Sequence, residues 1–391
     1  MLADTDAGSI ITIAQSGAKW GYQLLLPNLV FIPFMFMAQE LAARLGLGSG
    51  QGAAELVLRR IGRAPASVLL VALSVSCFGG LLTQMSGLAG AAATYGVPIW
   101  ATMALTALGL IGMIATGSYR SVERVGLFLG LFELAFFVMA WNAHPSVVDV
   151  VHGAARLPMQ SGDYLYLLAA NLGTSIIPWT LLYQQSASVD KRLEPGDIKD
   201  ARVETLAGVL LCQAITSALI VAAGATLGGK SGPLVRVEQI AAAFTATLGG
   251  TVGNAVFVLG LAGGALVAAI VVCLTLAWTF GEVFGMRHSL EHRPMEAPWF
   301  YGILSAMIIA GAALVASGIN LVELAVAAGV INALLLPVVL GFLFWLGRTA
   351  LPQALRLQGI YAVAVAASFL LIGGVALYAG LVGAWSSWHG V

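Results

Sequence analysis

The stretch MLADTDAGSIITIAQSGAKWGY, residues 1–22, sets Asp4 and Asp6, a glycine and several hydroxyl side chains beside an apolar helical run. Ionisable groups at membrane depth are costly and mark functional sites. The fold turns on whether this run enters a membrane. If it does, something must compensate the two aspartates.

The remainder of the chain says that it does. Of 391 residues, 59% are hydrophobic and 9% charged, against roughly 45–50% and about 25% in soluble domains. Apolar runs close to the ~20 residues that cross a ~30 Å hydrocarbon core recur throughout. That pattern excludes a β-barrel and a soluble domain on one anchor. The sequence is that of an all-α integral membrane protein, one polytopic domain over 1–391 in contact with the lipid bilayer. Its formal net charge is zero, and without long basic runs nucleic-acid binding has no electrostatic support. Cys77, Cys212 and Cys273 stand singly inside apolar runs. They read as buried small hydrophobes, not as disulfide partners or zinc ligands.

Reading runs between charged or Gly/Pro breaks predicts eleven spans, at 3–20, 23–45, 66–93, 98–117, 122–143, 164–187, 203–227, 249–284, 299–317, 321–346 and 359–385. With the N-terminus cytoplasmic, the outer side keeps only Lys19, Arg156, Lys230 and Arg236, leaving fourteen of the 18 basic residues, Arg44 among them, in inner loops. This is a strong positive-inside signal. It predicts a multi-pass protein of the cell membrane with an outer C-terminus, inserted through its own helices without a cleavable signal peptide. Small-residue runs such as GLAGG at 260–264 are expected to let helices approach closely.

Two spans are interrupted as the others are not, by DTDAGS (4–9) in the first and NLGTSIIPW (171–179) in the sixth. Pro178 removes a backbone donor, and Gly173, Thr174 and Ser175 tolerate unwinding, so carbonyls there can turn toward a cavity. Spans one and six hold corresponding places in two five-helix halves, 1–143 and 164–346, with span eleven (359–385) outside them. A matched pair of broken helices in an inverted repeat points to a transporter's binding site. A cation bound there would compensate the aspartates.

DAGSIITIAQSGAKWGY (6–22) resembles the first-helix signature of the NRAMP (natural resistance-associated macrophage protein) metal transporters, Asp-Pro-Gly-Asn followed at the same spacing by Gln-x-Gly-Ala-x-x-Gly-Tyr. AQELAARLGLGSGQGAAEL (38–56) resembles the end of the family's second helix and the loop after it. GSYRSVERVG (117–126) resembles the start of the fifth, IIPWTLLYQQS (176–186) stands where the family has Met-Pro-His, and INALLLPVV (331–339) resembles the tenth. The resemblance implies a LeuT-type fold, a divalent cation as substrate, protons as the candidate coupling ion, no cofactor, no covalent chemistry and no protein partner. It also implies a further half-helix before the first motif. Only five residues precede Asp6 here, so the inner half of span one is expected upstream of Met1.

Carried over residue by residue, the resemblance places the family's metal-binding aspartate on Asp6 and its asparagine on Ser9. The helix-six carbonyl ligand falls on Thr174, the methionine thioether on Ile177 and the neighbouring histidine on Trp179. The acidic position of helix three falls on Thr83 or Gln84, and the helix-ten glutamine on Gly329 or Asn332. Only the aspartate survives as a strong side-chain ligand, supplemented by the carbonyls of Ala7 and Thr174. Thioethers favour transition metals, and oxygen ligands and water favour magnesium, calcium and manganese. Magnesium also dehydrates reluctantly and keeps several waters. The chain therefore resembles the NRAMP-related branch associated with magnesium, with manganese as the second candidate.

Asp6 equally fits the cap of a half-helix starting near Ser9, and Asp4 stands nearby. Gln84, Glu133, Gln184, Gln185, Glu282 and Asn332 fit interhelical hydrogen bonds. Glu133 and Glu282 cost more to bury and are the alternative proton acceptors. HSLEH (288–292) matches the His-x-x-Glu-His pattern of inverted zinc proteases, but a short charged connection leaves no room for the helix that chemistry needs. GLGSGQG (46–52) lacks the Lys-Ser/Thr of a phosphate loop and reads as a turn. Two rivals stay open: a LeuT-type carrier of an organic solute, with Trp179 lining an apolar pocket and Asp6 pairing an amine, and, remotely, a membrane metalloprotease.

Overall fold

A long apolar run has no water to bond its amides, and helix satisfies them within the segment. The computed structural model of the chain describes residues 4–114, 128, 130–228, 234, 236–287, 292–318 and 320–389, and no strand occurs among them. The GSYRSVERVG motif, Lys230 and residues 288–291 of HSLEH lie outside the described residues. In chain order the helices are α1 Ala7–Trp20, α2 Leu25–Ser49, α3 Ala53–Arg60, α4 Arg63–Ala93, α5 Ile99–Ile114, α6 Ala135–Asn142, α7 Val147–Ala154, α8 Gly162–Ser175, α9 Pro178–Asp190, α10 Ile198–Leu227, α11 Val237–Leu248, α12 Gly250–Phe284, α13 Pro298–Ala316, α14 Leu321–Thr349 and α15 Gly359–His389.

Nine of the eleven expected spans each overlap one helix, 164–187 overlaps the pair α8 and α9, and 122–143, partly outside the described residues, overlaps the 3-10 turn Leu131–Leu134 and α6, so the count of eleven crossings is not reached. Among the described residues eight helices, with Gly162–Asp190 taken as one, are long and apolar enough to cross a membrane. They become nine if Leu131–Asn142 and Val147–Ala154, bent by 109°, form one span. α5 is shorter, and α1, at 14 residues, has the length of a half-span. The short helices α3, α7 and α11 were not expected, because they lie in or at the edge of connections.

α1 packs against α10, α14, α8 and α4, and its first eight residues are all buried. Close approach depends on glycine where backbones meet. A Cβ on Gly173 of α8 would run into the carbonyl of Gly329 on α14, and one on Gly17 of α1 would run into Ala223 of α10.

The two ends of this core are tied differently. At one, Lys19 Nζ lies 2.5 Å from Asp163 Oδ2 with both side chains partly exposed, and Trp20 meets Tyr164 edge-on at 5.5 Å. Toward the other, Glu40 of α2 is 1% exposed. Its Oε1 accepts from Arg44 Nη2 (2.5 Å) and Arg202 Nε of α10 (2.8 Å), and its Oε2 from the Tyr361 hydroxyl of α15 (3.1 Å). Arg44 is thus not a loop residue as the span reading had it. α2 continues past it because Glu40, one turn earlier, neutralises it inside the protein.

Candidate metal-ion site

Asp6 is the N-cap of α1, in extended conformation at φ −86° and ψ 176°. Its Oδ1 accepts from Ser9 N (2.7 Å) and Ser9 Oγ (2.8 Å), and its Oδ2 from Gln84 Nε2 of α4 (2.6 Å). Gln84 is oriented by the start of the same helix, because its Oε1 accepts from Ala7 N (3.0 Å). One carboxylate thus caps α1 with one oxygen and meets Gln84 of α4 with the other. Ala7 is the first helical residue and not part of an unwound turn.

The second interruption lies just before Pro178, as expected, but Gly173, Thr174 and Ser175 stay helical instead of unwinding and the break falls on Ile176 and Ile177. α8 ends at Ser175, Ile176 leaves helical geometry (φ −117°, ψ 85°), Ile177 is extended, and Pro178 starts α9. The last four carbonyls of a helix lack intrahelical partners and carry its partial negative charge. The Thr174 carbonyl is one of them, and it faces Ser9 Oγ at 3.2 Å.

Ser9 Oγ also lies 3.0 Å from the carbonyl of Asp4. Three acceptor oxygens, from Asp4, Asp6 and Thr174, thus surround one hydroxyl that has a single proton to give. Asp6 is 3% exposed, Ser9 2% and Thr174 6%, so bulk water does not serve the remaining oxygens. An oxygen-rich, donor-poor cluster between the start of α1 and the end of α8 suits a hard cation. Among the described residues no three His, Cys, Asp or Glu side chains converge as a metal cluster, so carbonyls, hydroxyl and water would complete any coordination.

Asp6, Ser9, Thr174 and Gln84 are thus brought together, and Asp4 joins through its backbone while its Oδ2 is held by Gln39 Nε2 of α2 (3.1 Å). Ile177 is buried at the break, its carbonyl taken by Thr180 Oγ1 (2.9 Å). Trp179 is buried over Gly80 of α4. Asn332 and Glu282 stand apart, whereas Glu133 lies near Thr5, the two meeting over Gly264. Asn332 accepts from Ser76 Oγ (2.6 Å), joining α14 to α4. Glu282 accepts from Ala54 N (2.9 Å) and Ser186 Oγ (2.8 Å), pinning the start of α3. Glu133 lies in the 3-10 turn Leu131–Leu134, fully buried. Sequence reasoning missed Gln39 as the partner of Asp4 and Asn171, whose Nδ2 donates to Ser16 Oγ (2.7 Å) and fastens α8 to α1.

This arrangement is a helical membrane-transporter fold of LeuT type. The chain aligns with the crystal structure of an Eremococcus coleocola manganese transporter at TM-score 0.78 and 16% identity, covering 96% of this chain and 83% of that one. It aligns with MhsT in complex with L-phenylalanine at TM-score 0.62 and 14% identity, covering 97% and 98%. The family model described as natural resistance-associated macrophage protein-like, Nramp, matches residues 1–381, and the chain belongs to that family. Its relatives include the divalent metal cation transporter MntH of Bacillus subtilis (strain 168), 24% identical over 331 residues, 82% of this chain and 75% of that protein. The MntH of Acidiphilium cryptum (strain JF-5) is 24% identical over 397 residues, covering 96% and 86%.

Proposed function

We propose that this chain carries a divalent metal ion across the cell membrane by alternating access, α1 and the α8–α9 pair rearranging against the other helices. The observation that carries this reading is the oxygen cluster around Ser9, closed by Asp6 on one broken helix and the Thr174 carbonyl on the other. Membership of Nramp and relatives named as divalent metal cation transporters support it. Asp6 supplies charge, Ser9 and the Thr174 carbonyl supply dipoles, and the Ile177 side chain supplies no donor at the break. Such a set cannot replace a full hydration shell, so the ion travels largely hydrated, with Mg²⁺ favoured and Mn²⁺ next. The basic-residue asymmetry supports a cytoplasmic N-terminus and an outer C-terminus. No cofactor or protein partner enters the cycle.

The organic-solute reading asks Trp179 to line an open pocket, whereas its indole is buried against Gly80. The protease reading asks for a His pair. His292 lies 3.9 Å from Glu296, and transporter-named relatives weigh against it. Flux into proteoliposomes over Mg²⁺, Mn²⁺ and Ca²⁺, with a pH dye inside, tests the reading and the coupling. Absence of flux for all three ions would overturn it.

Ile177→Met tests the selectivity. The change nearly conserves volume, and such swaps usually cost under ~1.5 kcal/mol. A thioether at the break should strengthen Cd²⁺ and Mn²⁺ binding by about tenfold or more and leave Mg²⁺ unchanged or weaker. Pairing it with Ser9→Asn should enlarge the effect. Equal changes for all ions in titration calorimetry would mean that residue 177 does not face the ion.

A further inference from the structure

We propose that a cavity between α5 and α13 seats one acyl chain of an anionic phospholipid, whose headgroup is held at the membrane surface by Arg293. The cavity measures about 190 Å³ and is lined by Ile111 and Ile114 of α5, by Pro294, and by Tyr301, Ser305 and Ile308 of α13. None of these residues belongs to the Ser9 cluster. An apolar cavity of about 150 Å³ stays dry and takes up small apolar ligands. This one is larger, and no charged side chain lines it among the described residues. It is a place for hydrocarbon, not for water or an ion.

The start of α13 sets the depth of the cavity. Tryptophan and tyrosine gather at the membrane–water boundary, where one end of the ring is wet and the rest is apolar. Trp299 is 69% exposed. Tyr301 donates its hydroxyl to the His292 carbonyl at 2.8 Å, in the polar turn before the helix, and also lines the cavity. From Tyr301 to Ile308 the helix advances by about 10 Å, at 1.5 Å per residue. The cavity therefore runs from headgroup level into the hydrocarbon, the path of a lipid chain.

Charge selects the headgroup. Arg293 directly precedes Pro294 and is exposed. Its backbone N–H is fixed by Glu296 Oε2 at 2.9 Å, but its guanidinium has no hydrogen-bond or ion-pair partner among the described residues. A free guanidinium at headgroup level, beside an apolar cavity, matches a phosphodiester with an acyl chain attached. Transfer between lipid and protein interior gives little, because lipid tails are as apolar as leucine. What retains the chain is contact, since an unfilled void forfeits the dispersion energy of its lining. α5 and α13 pack on each other and on α4, the helix that brings Gln84 to Asp6, so a seated lipid braces the helices beside the ion site.

The test is native mass spectrometry of the full chain in detergent, titrated with phosphatidylglycerol or with phosphatidylcholine of the same acyl chains. The wild-type chain should retain the anionic lipid about fivefold more tightly, the worth of one basic group at a membrane surface. Arg293→Gln should erase that preference and leave phosphatidylcholine binding unchanged. Ser305→Leu should weaken retention of both lipids by about tenfold, as expected when roughly 60 Å³ of void is already filled. Ile111→Phe fills the cavity from the opposite wall and should act alike. Both filled variants should melt, without lipid, at or above the wild-type temperature. Inorganic phosphate should not displace the lipid. Equal retention of the two lipids by the wild-type chain, displacement by phosphate, or unchanged retention in either filled variant would overturn the proposal. So would a dimer of the chain that these variants dissociate, since a second copy would then be what covers the cavity.

Discussion

Asp6→Asn is expected to abolish divalent binding and flux while the chain stays folded. Two unit charges ~4 Å apart at an effective dielectric of about 20 interact by about 4 kcal/mol, and a divalent ion doubles the charge on one side. Losing even half of that weakens binding by about three orders of magnitude. The fold should tolerate the change because the amide oxygen can still cap α1 through Ser9 N and Oγ. One conflict remains. Gln84 Nε2 now donates to Asp6 Oδ2 while its Oε1 takes Ala7 N, so an amide flip cannot satisfy both, and the new Asn NH₂ meets another donor. Relief of a buried charge offsets that contact, and the melting temperature should move by only a few degrees. Retained Mg²⁺ and Mn²⁺ uptake in the variant would place the ion elsewhere.

Glu40→Ala should be the most destabilising single change among the buried charges. It leaves Arg44, itself 5% exposed, with a distant Leu355 carbonyl at 3.5 Å and the Tyr361 ring at 5.2 Å as its remaining partners. Removing one member of a buried pair typically costs about 3–5 kcal/mol, because the other charge is left uncompensated. The control is Glu40→Leu with Arg44→Met. Replacing both charges by apolar side chains of similar size is often neutral, so the double variant should recover most of the loss. Fluorescence-detected size exclusion after a heating series reads both. Equal melting temperatures for wild type and Glu40→Ala would show that the cluster does not hold α2 to α10 and α15.

The spans were legible because a long apolar run admits one solution, and the two interruptions because their chemistry is local. Pro178 cannot continue a ladder, and Asp6 caps the amides that follow it. The family was legible partly for the same reason, since two of its five motifs sit at those interruptions. What surrounds Ser9 was not, because Asp4, Asp6 and Thr174 meet only once α1 lies against α8, a contact fastened by Asn171 on Ser16 and not readable from either stretch alone. Arg44 was misplaced because a charge normally ends a span, and the compensating Glu40 was hidden in the same helix. Its four-residue spacing was the available signal. That Glu133 has no hydrogen-bond partner among the described residues could not be read either, since a polar group in a span is satisfied or not according to its neighbours.

The unequal ties at the two ends of the core have a consequence for the empty protein. An exposed pair such as Lys19–Asp163 contributes about 0–1 kcal/mol and fades over a Debye length of ~8 Å at physiological salt. In the Glu40 cluster the Glu40–Arg44 pair is out of water and barely screened, although Arg202 is half-exposed. In a salty medium, therefore, parting the helices around Lys19 costs little and parting them around Glu40 costs much. Such lopsidedness cannot drive net movement, which only the ion's gradient can do. On the alternating-access reading proposed above, it biases the face on which the unloaded carrier waits, and so the compartment it samples first.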